Sequence, residues 1–149
     1  MKRINEYKKL FNVEGDINLK DLKSTYRKLV KEWHPDKFQD ETEKLEAESK
    51  SQKIIDGYHF LISIAPETKE SLLEQYATTI NESGIVDYRH KGLLMEVTFD
   101  NGFTYEYFGV NDKLFHKFNN SDKQVRFAKR SIFNSFLYRK SKTVTPELV

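Results

Sequence analysis

The sequence predicts an α+β protein of two domains: an N-terminal helical hairpin of about four helices, then a C-terminal three-stranded antiparallel meander with two helices. Three observations lead there. In the first half, apolar residues recur at helical spacing, as in Leu22, Tyr26, Leu29, Val30 and Trp33. From Ile85 the pattern switches to period two, broken by His90-Lys91-Gly92 and Asp100-Asn101-Gly102. Between these halves, residues 78–83 are polar and aperiodic, as a linker would be. The 149 residues then divide into domains at 1–77 and 84–149, each with a modest core.

Tyr7, Leu10 and Phe11 share one face of a short opening helix that ends before Gly15. Asn18 is placed to cap the second helix, with Asp21 favourably in its first turn. Leu22, Tyr26, Leu29, Val30 and Trp33 form the face of that helix expected to be buried. Lys20, Lys23, Arg27 and Lys31 follow at steps of three and four residues, so they form a contiguous basic stripe outside. Pro35 has no N–H and pushes the residue before it out of the α region. The helix therefore ends near Trp33 or His34, and Asp36 sits on a short loop. Asp40, with Glu43 three residues on, starts a third helix. Its Ile54, Tyr58 and Leu61 are expected against the second helix. Gly57 costs the third helix about 1 kcal/mol relative to Ala, which close approach of the facing helix would explain. Ile55, Phe60, Ile62 and Ile64 widen the apolar stripe enough for a fourth helix over 66–76, with Pro66 in its first turn, or for the second domain.

Over positions 4–76 these residues resemble the J domain of DnaJ-type co-chaperones. The resemblance rests on Tyr7, Leu10 and Val13, then Leu22, Tyr26-Arg27-Lys28-Leu29 and Trp33, then His34-Pro35-Asp36-Lys37, then Ile54, Tyr58 and Leu61. A His-Pro-Asp by itself arises by chance, and the plain alternative is an ordinary proline-ended hairpin. The Tyr-Arg-Lys-Leu ahead of it and the long amphipathic helix behind it make the match specific. The resemblance implies stimulation of ATP hydrolysis by a DnaK-type heat-shock chaperone, with its ATPase domain receiving His34, Pro35 and Asp36 together with Lys20, Lys23, Arg27, Lys31 and Lys37. Charge agrees, since a Lys/Arg stripe beside a protruding loop favours an anionic partner. Asp36 would be the switch residue, with His34 and Pro35 fixing its presentation. Glu67-Thr68-Lys69-Glu70 departs from the basic segment J domains often carry there, so no contact is carried over to it. A solvated face is the plain alternative for the stripe. Asp21 and Glu32 interrupt it, which favours a protein partner over a phosphate-tracking groove.

In the second half, residues 85–89, 93–99 and 103–108 read as strands. A two-residue Asn-Gly turn would pair Thr98 with Tyr105 and Glu96 with Tyr107, mixing the faces. A three-residue Asp-Asn-Gly loop, with Gly102 left-handed, pairs Phe99 with Phe103, Val97 with Tyr105 and Met95 with Tyr107. Only the second yields one coherent apolar face. Two helices follow: 111–118 with Leu114, Phe115 and Phe118, then 122 to about 139 with Val125, Ala128, Ile132 and Phe136 on one side. Lys123, Arg126 and Arg130 lie on another side of that last helix. Ser83, Tyr88, Val97, Phe99, Gly102, Tyr105-Glu106-Tyr107, Val110 and Ser121 resemble the KTSC family, a small β-meander-plus-helix domain. After Ser121 the family favours a glycine and an aromatic-Asn pair ahead of an Ile, and here 123–132 is spaced differently. The resemblance carries a suggestion of RNA binding. Tyr105 and Tyr107 would then be a base-stacking platform beside Lys123, Arg126 and Arg130. The competing reading places both tyrosines in the core, and the register argument favours it.

Composition bounds the function. Net charge is only +2, but nine basic residues face one acid, Asp122, between Lys113 and Lys142. The absence of Cys removes disulfides and thiolate metal sites and agrees with a cytoplasmic location. No apolar run approaches a membrane span, and no hydrophobic signal segment is expected. His34, His59, His90 and His116 are too scattered for a metal site, so no cofactor is implied. There is neither a Gly-rich phosphate loop nor a nucleophile–base pair, and Pro35 holds His34 and Asp36 on a loop with no pocket to tune them. An enzyme is not expected. The client and the oligomeric state are not legible.

Overall fold

The structure, a computed structural model, describes residues 2–141. The chain divides into two compact units, Lys2–Glu70 and the part from Ser71 onward.

The N-terminal unit is built from α1 (Lys2–Leu10), α2 (Leu19–Trp33), α3 (Glu41–Ile64) and the start of α4 (Pro66–Glu82). A single 3-10 turn, Pro35–Lys37, joins α2 to α3. Both expected caps form: the Asn18 side chain accepts from the Asp21 N–H at 3.1 Å, and Asp40 accepts from the Glu43 N–H at 3.2 Å. Each satisfies one of the N–H groups that a helix start leaves without a partner. α2 packs on α3 through Tyr26 and Tyr58, whose rings stack at 4.0 Å.

Two expectations are corrected here. The apolar face of α2 is only partly enclosed: Leu22 is buried, whereas Tyr26, Leu29, Val30 and Trp33 are half-buried. One partner helix covers only part of so broad a stripe. At Gly57 the close neighbour is α1 and not α2. A Cβ there would lie 2.8 Å from Tyr7 Cδ1 and 3.1 Å from Phe11 Cε2. α1 also explains part of the wide stripe on α3, since Phe60 meets the Tyr7 ring at 5.3 Å and the Arg3 guanidinium at 4.3 Å.

The C-terminal unit is a four-stranded antiparallel sheet in the order β1-β2-β3-β4, with β1 Ile85–Lys91, β2 Leu94–Phe99, β3 Thr104–Phe108 and β4 Leu137–Lys140. Val97 pairs with Tyr105 and Met95 with Tyr107. The Asp-Asn-Gly loop closes with the Phe99 N–H on the Phe103 carbonyl at 2.8 Å, and Gly102 takes a φ of 91°. That φ is what the three-residue loop requires, and it puts Met95, Val97, Phe99, Tyr105 and Tyr107 on one inner face. α5 (Asp112–Asn119) and α6 (Gln124–Ser131) contribute Phe118 and Ala128 to the core behind that face.

The last helix ends well before position 139. Ile132 leaves the α region (φ −124°, ψ −57°), and the Phe133 N–H turns back to the Ala128 carbonyl at 2.8 Å. After the exposed Asn134 and Ser135 the chain becomes β4, with Tyr138 opposite Tyr107 and Arg139 opposite Glu106. The meander therefore has a fourth strand, because a remote partner edge overrides the helical pattern of this segment. Glu106 and Arg139 form an ion pair with little solvent access on the other face of the sheet.

Residues 78–82, expected as linker, are the last turns of α4. Thr79 and Ile80 are buried there, with Tyr76 one turn earlier. Tyr76 and Ile80 belong to the aromatic core of the C-terminal unit, whose compact body takes in the chain from Ser71 onward.

Candidate functional site

The turn after α2 is held by its own backbone. His34 takes an extended conformation (φ −63°, ψ 128°), as a residue preceding proline must. Pro35 opens the 3-10 turn, where its missing N–H costs nothing. The Lys37 N–H then reaches the His34 carbonyl at 3.0 Å, and the Phe38 N–H reaches the Pro35 carbonyl at 3.1 Å. His34 Nδ1 accepts from the Asp36 N–H at 3.2 Å, closing a small ring around Pro35. The result is an Asp36 side chain 83% exposed, its Oδ2 3.6 Å from His34 Nδ1. The carboxylate points into water while the backbone beneath it is fixed.

The base of the turn is clamped to α3. The Ser51 hydroxyl donates to the Trp33 carbonyl at 2.8 Å, satisfying one of the carbonyls that the end of α2 leaves open. Trp33 stacks on Phe38 at 6.2 Å, and the Lys50 ammonium lies 5.7 Å from the Trp33 ring.

A groove of about 1010 Å³ runs along α2 to this turn. Lys20, Lys23, Arg27, Lys31, Lys37, His34 and Asp36 all line it, so the expected basic stripe and the expected acid share one surface, with Pro35 supplying the bend. Sequence reasoning missed other members. Lys28, three residues before Lys31, joins the rim, and the half-buried Tyr26 and Val30 supply apolar wall. The breadth of the apolar stripe was the signal for the latter pair. Ser51 had none, because its bond goes to a backbone carbonyl remote in sequence.

The second expected constellation does not assemble. Tyr105 and Tyr107 are 2% and 0% exposed, so neither ring offers a face to a base. They are core, and they belong to a tyrosine cluster. The Tyr76 hydroxyl donates to the Phe133 carbonyl at 2.6 Å and lies 3.0 Å from the Tyr107 hydroxyl, which therefore donates to it. Tyr138 stacks on Tyr76 at 3.9 Å. Burial pushes the phenol pKa values of Tyr76 and Tyr107 well above the ordinary tyrosine range, and those of Tyr105 and Tyr138 upward too. The Tyr105 hydroxyl sits beside Thr79 without a properly formed hydrogen bond. The Thr79 hydroxyl already donates to the Gln75 carbonyl and accepts from Asn101, each at 2.9 Å. Lys123, Arg126 and Arg130 lie on the exposed side of α6, away from the buried rings.

Comparison with known proteins agrees with this division. Residues 6–70 match the family model of the DnaJ domain, and residues 83–136 match that of the KTSC domain. Among curated proteins, the chain is similar to DnaJ homolog subfamily B member 6 of Bos taurus, 28% identical over 115 residues, covering 72% of this chain and 44% of that protein. It is similar to DnaJ homolog subfamily C member 3 of Homo sapiens, 42% identical over 45 residues, covering 30% of this chain and 9% of that protein. Chaperone protein DnaJ of Thermoplasma volcanium is 38% identical over 56 residues, covering 38% of this chain and 15% of that protein. The chain thus spans less than half the length of these relatives.

Proposed function

We propose that this chain, a DnaJ domain followed by a KTSC domain, works as a DnaJ-type co-chaperone: it stimulates the ATPase of a DnaK-type chaperone through the turn at His34-Pro35-Asp36. The observation that carries the reading is the 83% exposed Asp36 carboxylate, held on a closed turn at the end of a basic groove. An acid so placed is fully hydrated until a partner's cation reaches it, and its backbone needs no rearrangement to meet one. Lys20, Lys23, Arg27 and Lys31 speed the encounter with an anionic surface and set its direction, while Tyr26 and Val30 add apolar contact along the same groove. In this reading the chain does no covalent chemistry itself. It favours the hydrolysing conformation of its partner, and the C-terminal unit supplies targeting.

Single-turnover ATP hydrolysis by a DnaK-type partner, with and without the full chain, tests this. Asp36→Asn keeps the shape of the turn and removes the charge. It is expected to abolish stimulation, a loss of about 2–5 kcal/mol in coupling to the partner's cation, with helix content by circular dichroism unchanged. Full stimulation by that variant would overturn the assignment.

A further inference from the structure

We propose that the outer side of α6 is a docking surface for an acidic, extended segment of a partner protein, one that carries an aliphatic anchor. Ala128 is buried on the inner side of this helix, Arg126 and Arg130 are exposed on the opposite side, and the half-buried Lys129 lies on the flank between. At 3.6 residues per turn these three cations cover an arc of about 100°. Lys123 extends the arc at the N-terminal end of the helix. Among the described residues none of the four makes an ion pair, so the ridge carries its repulsion unrelieved.

A hollow flanks the ridge on either side. The larger, about 540 Å³, has Ile85, Val125 and Lys129 in its walls. The smaller, about 390 Å³, has Ser121, Phe127 and Arg130. Lys123 and Arg126 line both, and Asp122 is the one acid in either. The charge calls for an anionic partner, and the apolar content identifies its class. Nucleic acid bound in single-stranded form stacks its bases on open aromatic faces. Here Tyr105 and Tyr107 are sealed, and the half-buried Phe127 ring lies 5.7 Å beneath the Arg130 guanidinium. The larger hollow instead offers two aliphatic side chains, which suit a leucine or valine and not a base. A helix with its side chains is about 10 Å across, and an extended chain advances about 3.3 Å per residue. Carboxylates over the ridge and an aliphatic residue three or four positions away would engage cations and hollow together. This surface is independent of the groove on α2 and does not rest on the chaperone reading.

The test uses the full chain carrying Lys23→Glu and Arg27→Glu, so that the α2 groove does not compete. Its binding to a short, fluorescein-labelled Glu-rich peptide with one central leucine is followed by anisotropy. Adding Arg126→Glu and Arg130→Glu is expected to weaken binding about tenfold at low salt. Replacing the peptide's leucine by serine is expected to weaken it further with α6 intact. Amide shifts on titration should fall at Ile85 and residues 121–130. Unchanged affinity in the α6 variant, no binding when α6 is intact, or tighter binding of an oligouridylate of equal charge would each overturn the proposal. Circular dichroism checks that the exposed substitutions leave the fold in place.

Discussion

Along α2, Tyr26, Leu29, Val30 and Trp33 are only half-buried, and the acid beyond the helix end is almost wholly in solvent. In the C-terminal unit Phe99, Tyr105, Tyr107 and Phe133 are sealed, and the Tyr107 hydroxyl is tied to that of Tyr76, which in turn bonds to backbone. The first unit leaves apolar surface beside charge, the mark of a face waiting for a partner. The second closes its aromatic area into its own core and carries a ridge of charge on α6 outside. Under the proposed function, aromatic residues of one chemical type thus serve recognition in one unit and cohesion in the other. Enclosure, and not composition, separates the two roles.

The largest effect that would sharpen this contrast is Tyr107→Ala. Emptying so enclosed a site is expected to cost the C-terminal unit about 3–5 kcal/mol, read as a lower denaturant midpoint by near-ultraviolet circular dichroism. A small change would mean that the tyrosine cluster is dispensable. The same core should be sensitive to alkali. Tyr76 and Tyr107 have pKa values raised in the folded state by burial, so their contribution is fully present below about pH 10, the unfolded tyrosine value. It is lost as pH rises beyond that value. A pH series of unfolding midpoints checks the sign, and stability rising above that range would contradict it.

Next comes Gly57→Ala. The added methyl meets Tyr7 and Phe11 at 2.8 and 3.1 Å, and overpacking of this kind costs about 1–3 kcal/mol, against about 1 kcal/mol gained in helix propensity. A net loss is expected, followed through the fluorescence of Trp33, the chain's only tryptophan. A more stable variant would show that α1 yields easily. The smallest effect belongs to the rim of the groove. Lys23→Ala should weaken partner binding by about 0.2–1 kcal/mol, mainly as a slower association rate that converges with wild type at high salt. A slower rate that persists at high salt would point to contact chemistry and not steering.

Much of this was legible because it is local. The caps at Asn18 and Asp40, the stop imposed by Pro35 and the inner face chosen by the Asp100-Asn101-Gly102 loop all depend on residues within a few positions of one another. What escaped depends on distant partners. β4 reads as helix until the β3 edge is available to pair with it. The polar stretch after Tyr76 looks like linker until Thr79 and Ile80 find the sheet's core. The approach to Gly57 comes from a helix some fifty residues earlier in the chain, which no periodicity announces.

The ring that His34 closes around Pro35 also decides where that imidazole's proton goes. A nitrogen that accepts from the Asp36 amide must be bare, so in the uncharged side chain the hydrogen resides on Nε2. The protrusion therefore shows an approaching surface a donor and an acceptor side by side: an N–H on the ring and the neighbouring carboxylate oxygens. A complementary patch would need its own acceptor next to its cation, a two-point requirement that a lone arginine or lysine does not meet.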